Sequence, residues 1–139
     1  MIILGVDPGI HTGIAKFVDG KLCSLETISP HHIPDYIKAS GASRVIFEDS
    51  RLQSHVWITG CNHSATIKMA RNIGTVDAWC VLIQLVCGDL DISAHGISPL
   101  GKGAKMKAEP FAKCTGWVGV TNEHERDSAV VAWPYRGAK

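Results

Sequence analysis

The amino-acid sequence predicts an α/β protein built on one five-stranded mixed sheet, three antiparallel strands followed by parallel strands, with helices on both faces. Three observations carry that expectation. The first 28 residues hold three apolar segments separated only by turn chemistry, which makes them an antiparallel meander. From residue 29 onward, short apolar runs alternate with helical periodicity, so the later strands alternate with helices that cover the sheet. The length of 139 residues, 45% of them hydrophobic and 19% charged, suits a single domain over residues 1–139 that holds a core without disulfides or a structural metal.

Residues 1–7 form an apolar run that stops at Asp7-Pro8-Gly9, strong turn chemistry after a buried strand. Residues 13–18 make a second strand, Asp19-Gly20 is the favoured two-residue hairpin turn, and residues 21–28 alternate as a third. Ser29-Pro30 opens a short helix through Tyr36 to about Ser40, because proline suits a first helical turn and Gly41 suits an end. Val45-Ile46-Phe47 is a fourth, buried strand, which ends at the acidic pair Glu48-Asp49. Residues 50–63 lack periodicity and form a loop before the longest helix, residues 64–87. Its Met69, Ile73, Val76, Cys80, Ile83 and Cys87 recur at spacings of four and three, one apolar stripe. Residues 79–86 are apolar on nearly all sides apart from Gln84, so either a partner subunit or another helix of the same chain covers Trp79 and Leu82. Residues 90–97 make a fifth strand. A segment with Lys102, Lys105, Lys107 and Lys113 follows, loosened at its start by Gly101 and Gly103. A last helix, capped by Thr121 or Asn122, spans residues 123–133 until Pro134 stops it. The order is βββαβαβα and then a final helix, with no internal repeat, linker or low-complexity stretch.

Fourteen Lys and Arg against 13 Asp and Glu leave a net charge of +1, so any attraction for nucleic acid must come from a local basic cluster. The opening apolar run is too short for a signal-peptide core and meets Asp7 at once; a cytoplasmic location and no membrane partner are expected. Five cysteines without any CxxC argue against a disulfide framework or zinc ribbon and for reduced, mostly packed thiols. His55, Cys61 and His63 lack the paired spacing of a zinc site.

The chemistry lies in where the acids fall. Asp7 ends the first strand and Glu48 ends the fourth; if these strands are parallel neighbours, both carboxylates emerge at the sheet edge where active sites form. His124 and Asp127 are three residues apart on the last helix and share a face, while Glu125 and Arg126 point elsewhere. Carboxylates within about 4 Å of each other repel by several kcal/mol at an effective dielectric near 20, so such a cluster calls for a cation or a raised pKa. Oxygen ligands with spare coordination positions describe Mg²⁺ or Mn²⁺. Each acid also has a plainer role: Asp7 as a turn residue, Glu48 or Asp49 as a solvated strand end, and Glu123, Glu125 and Asp127 as partners of a helix dipole. Their shared placement favours the metal site.

Ile3-Leu4-Gly5-Val6-Asp7-Pro8-Gly9, Gly13, the strand ending in Phe47-Glu48, and His124-Glu125-Arg126-Asp127-Ser128-Ala129 together resemble RuvC-type Holliday junction resolvases of the ribonuclease H-like superfamily. The resemblance runs over nearly the whole chain, and its shortness and divergent middle look like a bacteriophage member, placed in the host cytoplasm. It implies a ribonuclease H-like fold, a homodimer, and paired metal-dependent nicks across four-way DNA that leave 5′-phosphate and 3′-hydroxyl ends. It puts Asp7, Glu48 and Asp127 at three acidic positions and His124 where many relatives have Asp, with two ions, Mg²⁺ or Mn²⁺, per site. Imidazole suits Mn²⁺ better and adds no negative charge, and Glu123 and Glu125 are nearby substitutes.

DNA contact is expected from Lys102, Lys105 and Lys107, with Arg51, Lys68 and Arg71, through phosphates rather than bases. Relatives often carry an aromatic shortly after the second acid, whereas here that stretch is Arg51-Leu52-Gln53. Trp57 in the same loop offers a stacking surface for a base, worth about 1–3 kcal/mol, or a cover for the core. The alternatives are a ribonuclease H-like RNA-processing nuclease and a catalytically inactive junction-binding module, which divalent-metal dependence separates. A sugar-kinase-like ATPase needs two such domains, and the chain is too short for that.

Overall fold

The turn chemistry of the opening segment shapes its backbone directly. In the computed structural model, which describes residues 1–53, 62–101 and 103–137, strands β1 (Ile2–Asp7), β2 (Thr12–Val18) and β3 (Lys21–Ile28) form the meander. Asp19 and Gly20 take φ of 48° and 82°, the left-handed pair that a two-residue hairpin requires. The expected first helix is divided: a 3₁₀ turn, Pro30–His32, leads into α1, Ile33–Ser40. Pro34 has no N–H to offer the Pro30 carbonyl and its ring would crowd that oxygen, so the regular helical ladder starts only at Ile33. Gly41 ends α1 with φ 72°.

Strand β4 (Arg44–Glu48) is followed by a short 3₁₀ turn (Ser50–Leu52), and α2 spans His63–Asp89, longer than the sequence suggested at both ends. Its start is capped by the Asn62 side chain, which accepts from the Ala65 N–H at 2.9 Å. Its end claims Leu90, expected in the next strand: the Leu90 N–H donates to the Val86 and Cys87 carbonyls at 3.2 Å. Asp91 then reverses the chain at φ 55°, and β5 begins at Ser93, running Ser93–Ile97. Helix α3 (Ala108–Thr115) and helix α4 (Glu123–Ala132) follow, and a 3₁₀ turn containing Pro134 (Trp133–Tyr135) succeeds α4 one residue earlier than predicted.

The strand order is β3-β2-β1-β4-β5, antiparallel across β1–β2 and β2–β3 and parallel across β1–β4 and β4–β5. Alternation along the strands makes two cores. Leu4, Val6, Ile14, Val45 and Phe47 meet Ile33 and Ile37 of α1 and Cys80, Ile83 and Cys87 of α2. On the opposite face Ile3, Ala15, Phe17 and Ile46 meet Phe111 of α3 and Ala129, Val131 and Ala132 of α4. Of the predicted stripe on α2, the last three members are fully buried and Met69, Ile73 and Val76 partly so, because only the second half of the helix lies over the sheet.

Two glycines let α4 settle directly on the sheet. A Cβ on Gly5 would run into the Ser128 carbonyl oxygen and lie 2.8 Å from the Ala132 Cβ, and a Cβ on Gly13 would run into the His124 carbonyl. Among the described cysteines Cys80 and Cys87 are buried and Cys23 and Cys114 exposed, all four free, so packing holds for two of them. Among the described residues no helix is long and apolar enough to cross a membrane.

Candidate active site

Because β1 and β4 run parallel with Val6 opposite Phe47, their next residues, Asp7 and Glu48, emerge side by side at the carboxyl ends of the two strands. Val6 and Phe47 face α1 and α2. Strand alternation therefore turns Asp7 and Glu48 toward the α3 and α4 face. There the Gly13 contact holds the first turn of α4 close to the sheet. That turn is stiffened by a capping box in which Asn122 Oδ1 accepts from the Glu125 N–H at 2.9 Å and Glu125 Oε1 accepts from the Asn122 N–H at 3.0 Å. Glu125 is thus engaged as a cap, which removes it as a substitute ligand. Arg126 also points away, as expected: it binds the Met106 carbonyl at 2.9 Å and the Thr121 carbonyl at 2.8 Å.

A cavity of about 270 Å³ results, lined by Asp7, Glu48, His124 and Asp127 together with Pro8, Gly9, Ile10, His11 and Lys105. All four predicted site residues, from three distant segments, share it. His124 Nδ1 lies 3.9 Å from Asp7 Oδ2, and its Nε2 lies 3.7 Å from Glu123 Oε1. Lys105 Nζ lies 3.8 Å from Asp127 Oδ2 and 3.7 Å from Glu123 Oε2. Asp127 is buried to 4% exposure, whereas Glu123 is open to solvent. The Pro8-Gly9 corner is latched by Thr12, whose hydroxyl donates to the Gly9 carbonyl at 2.7 Å.

Sequence reasoning missed His11, whose ring centroid lies 5.5 Å from that of His124. Its position immediately after the Asp-Pro-Gly corner was the available signal. Lys105, expected at the DNA surface, also reaches the acids and lines their cavity.

Three carboxylates and an imidazole are suitable donors for Mg²⁺ or Mn²⁺. Among the described residues, no three His, Cys, Asp or Glu side chains stand close enough to close around one ion as they are arranged. The donors line the cavity in partnership instead, Asp7 with His124 and Asp127 with Lys105. As donor types, carboxylate oxygens and an imidazole nitrogen suit a divalent ion.

The segment after Glu48 is braced from below. Asp49 is 3% exposed and accepts from Arg51 three times, from the backbone N–H at 3.1 Å, Nε at 2.9 Å and Nη2 at 2.8 Å. These bonds from the guanidinium hold the Asp49 carboxyl below the usual carboxylate range despite its burial. Gly96 makes the space: a Cβ there would lie 2.7 Å from Asp49 Oδ2. Ser50 Oγ donates to Asp77 Oδ1 at 2.6 Å, and the Cys80 thiol, pushed up by burial, reaches the Glu48 carbonyl at 3.6 Å. Arg51 therefore sits in a fixed fork rather than as a free surface cation. Lys107 immediately precedes α3 and is exposed, as are Lys68 and Arg71 on α2; Lys102, Trp57, His55 and Cys61 lie outside the described residues.

No family model and no curated protein matches the chain. Solved structures do. The chain is similar to "T. thermophilus RuvC in complex with Holliday junction substrate", with a TM-score of 0.63 at 13% identity over 96% of this chain and 90% of that one. The fold is ribonuclease H-like. A second structure, "Thermus thermophilus RuvC structure", gives a TM-score of 0.62 at 11% identity over 96% of this chain and 92% of that one. At such identity the agreement is one of architecture: the five-stranded mixed sheet with helices on both faces that the sequence predicted.

Proposed function

We propose that this protein is a divalent-metal-dependent endonuclease that resolves Holliday junctions and other branched DNA by paired nicks, leaving 5′-phosphate and 3′-hydroxyl ends. The observation that carries the reading is the meeting of Asp7, Glu48 and Asp127, from β1, β4 and α4, in one cavity at the carboxyl edge of a ribonuclease H-like sheet. Asp7, Glu48, Asp127 and His124 would hold the ions, in this reading two per site. When bound, such ions supply a hydroxide nucleophile at neutral pH and stabilise the charge on the leaving 3′ oxygen. The chain's own part in this reading is to carry the donors on strands and a helix packed on one sheet, to place Glu48 on the side of the attacking water, and to take up phosphates with Lys102, Lys105 and Lys107, while Arg51 stays with Asp49. Lys105 is well placed for a phosphate beside the site, since it lines the cavity itself.

Symmetric nicking of a four-way junction calls for two sites, and α2 offers a surface for a second copy. Ile67, Gly74, Ala78, Val81 and Leu85 lie exposed on α2 at multiples of three and four, with Leu85 62% exposed. A homodimer through this stripe would set two cavities on one junction.

The decisive experiment incubates labelled four-way, three-way and linear duplex DNA and an RNA–DNA hybrid with the protein in Mg²⁺, Mn²⁺ or EDTA, beside Asp7→Asn. Paired symmetric nicks on the four-way substrate, lost in EDTA and in Asp7→Asn while that variant still binds the junction, are expected. Cutting confined to the hybrid, or junction binding without metal-dependent cutting, would overturn the reading.

A further inference from the structure

Lys105 lies in the cavity as a cation among the acids. Its ammonium is 3.8 Å from Asp127 Oδ2 and 3.7 Å from Glu123 Oε2, while the other Glu123 oxygen faces His124 Nε2 at 3.7 Å, and His124 Nδ1 faces Asp7 Oδ2 at 3.9 Å. Nitrogen and carboxylate groups thus alternate from Lys105 through Glu123 and His124 to Asp7. A carboxylate as buried as Asp127 needs a compensating charge. The lysine supplies one, and a divalent ion would answer the same need at the same oxygen. Both together at Asp127 would bring +1 and +2 charges within a few ångström of each other, which is strongly repulsive. The lysine is also the one that yields easily. It is 66% exposed, its contacts exceed hydrogen-bond length, and its long stem follows Gly103 at φ 78°.

We propose that Lys105 and a divalent ion alternate on Asp127. In the ion-free protein the ammonium balances the carboxylate; ion entry displaces it, and the released ammonium then meets a phosphate oxygen of the DNA strand. Lys105 is in this account a positioning residue that sets the metal affinity of the site. The inference rests on the metal-dependent nuclease reading.

The test is calorimetric titration of Mn²⁺ into the full chain without DNA, at fixed ionic strength, for the native sequence, Lys105→Gln, Lys105→Arg and Lys113→Gln. Lys113 pairs with Glu109 on the surface of α3, so its change removes the same charge away from the cavity. Lys105→Gln should tighten Mn²⁺ about three- to tenfold, the Coulomb repulsion being discounted for solvent screening. Lys105→Arg should stay near the native value and Lys113→Gln within about twofold of it. Equal or weaker binding by Lys105→Gln, or equal tightening by Lys113→Gln, overturns the alternation while leaving the nuclease reading intact. Absence of Mn²⁺ binding by every chain removes both.

Discussion

Gly13→Ala tests whether the seat of α4 sets the site. A Cβ at residue 13 would collide with the His124 carbonyl and lie 3.1 Å from the Glu125 nitrogen, all of it backbone that no rotamer change relieves. Restoring ordinary van der Waals separation requires a displacement on the order of 1 Å. The far end of α4 stays where Gly5 meets Ser128 and Ala132, so the helix tilts and its first turn lifts, carrying His124 and Asp127 away from Asp7 and Glu48. Overpacking of this kind costs about 1–3 kcal/mol, which in a domain of this length lowers Tm by roughly 3–5 °C per kcal/mol. A misplacement near 1 Å costs on the order of 100-fold in a positioned reaction. Urea unfolding and junction cleavage in Mn²⁺, the latter at a temperature where both proteins are folded, measure the two effects separately. Native stability with native cleavage would mean that α4 does not rest on β2. Reduced stability with native cleavage would mean that the first turn of α4 does not govern the chemistry.

His124→Asp replaces an imidazole by a harder oxygen donor and should move the cleavage preference from Mn²⁺ toward Mg²⁺; an unchanged metal profile removes His124 from the ligand set. Asp49→Asn breaks the Arg51 fork and should destabilise the protein at pH 7 by about 1–3 kcal/mol, Arg51 being partly open to solvent. The sign with pH follows from the lowered Asp49 pKa: its contribution is present above the unfolded value near 3.9 and is lost as pH falls through the lower folded value. Urea curves of the variant and the native chain should therefore differ at neutral pH and converge in strong acid. A constant difference would show that the fork's charge is not what stabilises it. Lys102 and Lys107 changed together to Ala should weaken junction binding and flatten its salt dependence by about 0.9 per lost phosphate contact, read from binding isotherms at several salt concentrations.

The fold was legible where local chemistry and burial agree. Asp19-Gly20 dictates its hairpin whatever surrounds it, and the runs at residues 1–7 and 45–47 are apolar on both faces because both faces are covered. Legibility failed where short-range backbone bonding chose between equal options. Leu90 is as apolar as a strand residue, yet the bond from its N–H back to Val86 makes it the C-cap of α2. Pro30 suits a helix start, and only the clash with Pro34 four residues on pushes the regular turns to Ile33.

The site divides in the same way. Its acids were legible because strand ends and a three-residue helical spacing are one-dimensional signals. What brings them together is less visible: bare backbone at Gly5 and Gly13, which carry no chemistry and no periodicity but decide how near α4 approaches β1. The electrostatic argument from sequence held that crowded carboxylates call for a cation or a raised pKa. Here the Asp7 carboxylate faces the His124 imidazole and the Asp127 carboxylate faces the Lys105 ammonium, each partner coming from a different segment than the acid it faces, with no spacing rule between the two. Part of the charge balance assigned to metal is therefore already supplied by the protein. If Asp127 takes an ion as proposed, that ion would compete with an amino group, and its affinity would reflect the difference between the two partners rather than the attraction of bare carboxylates.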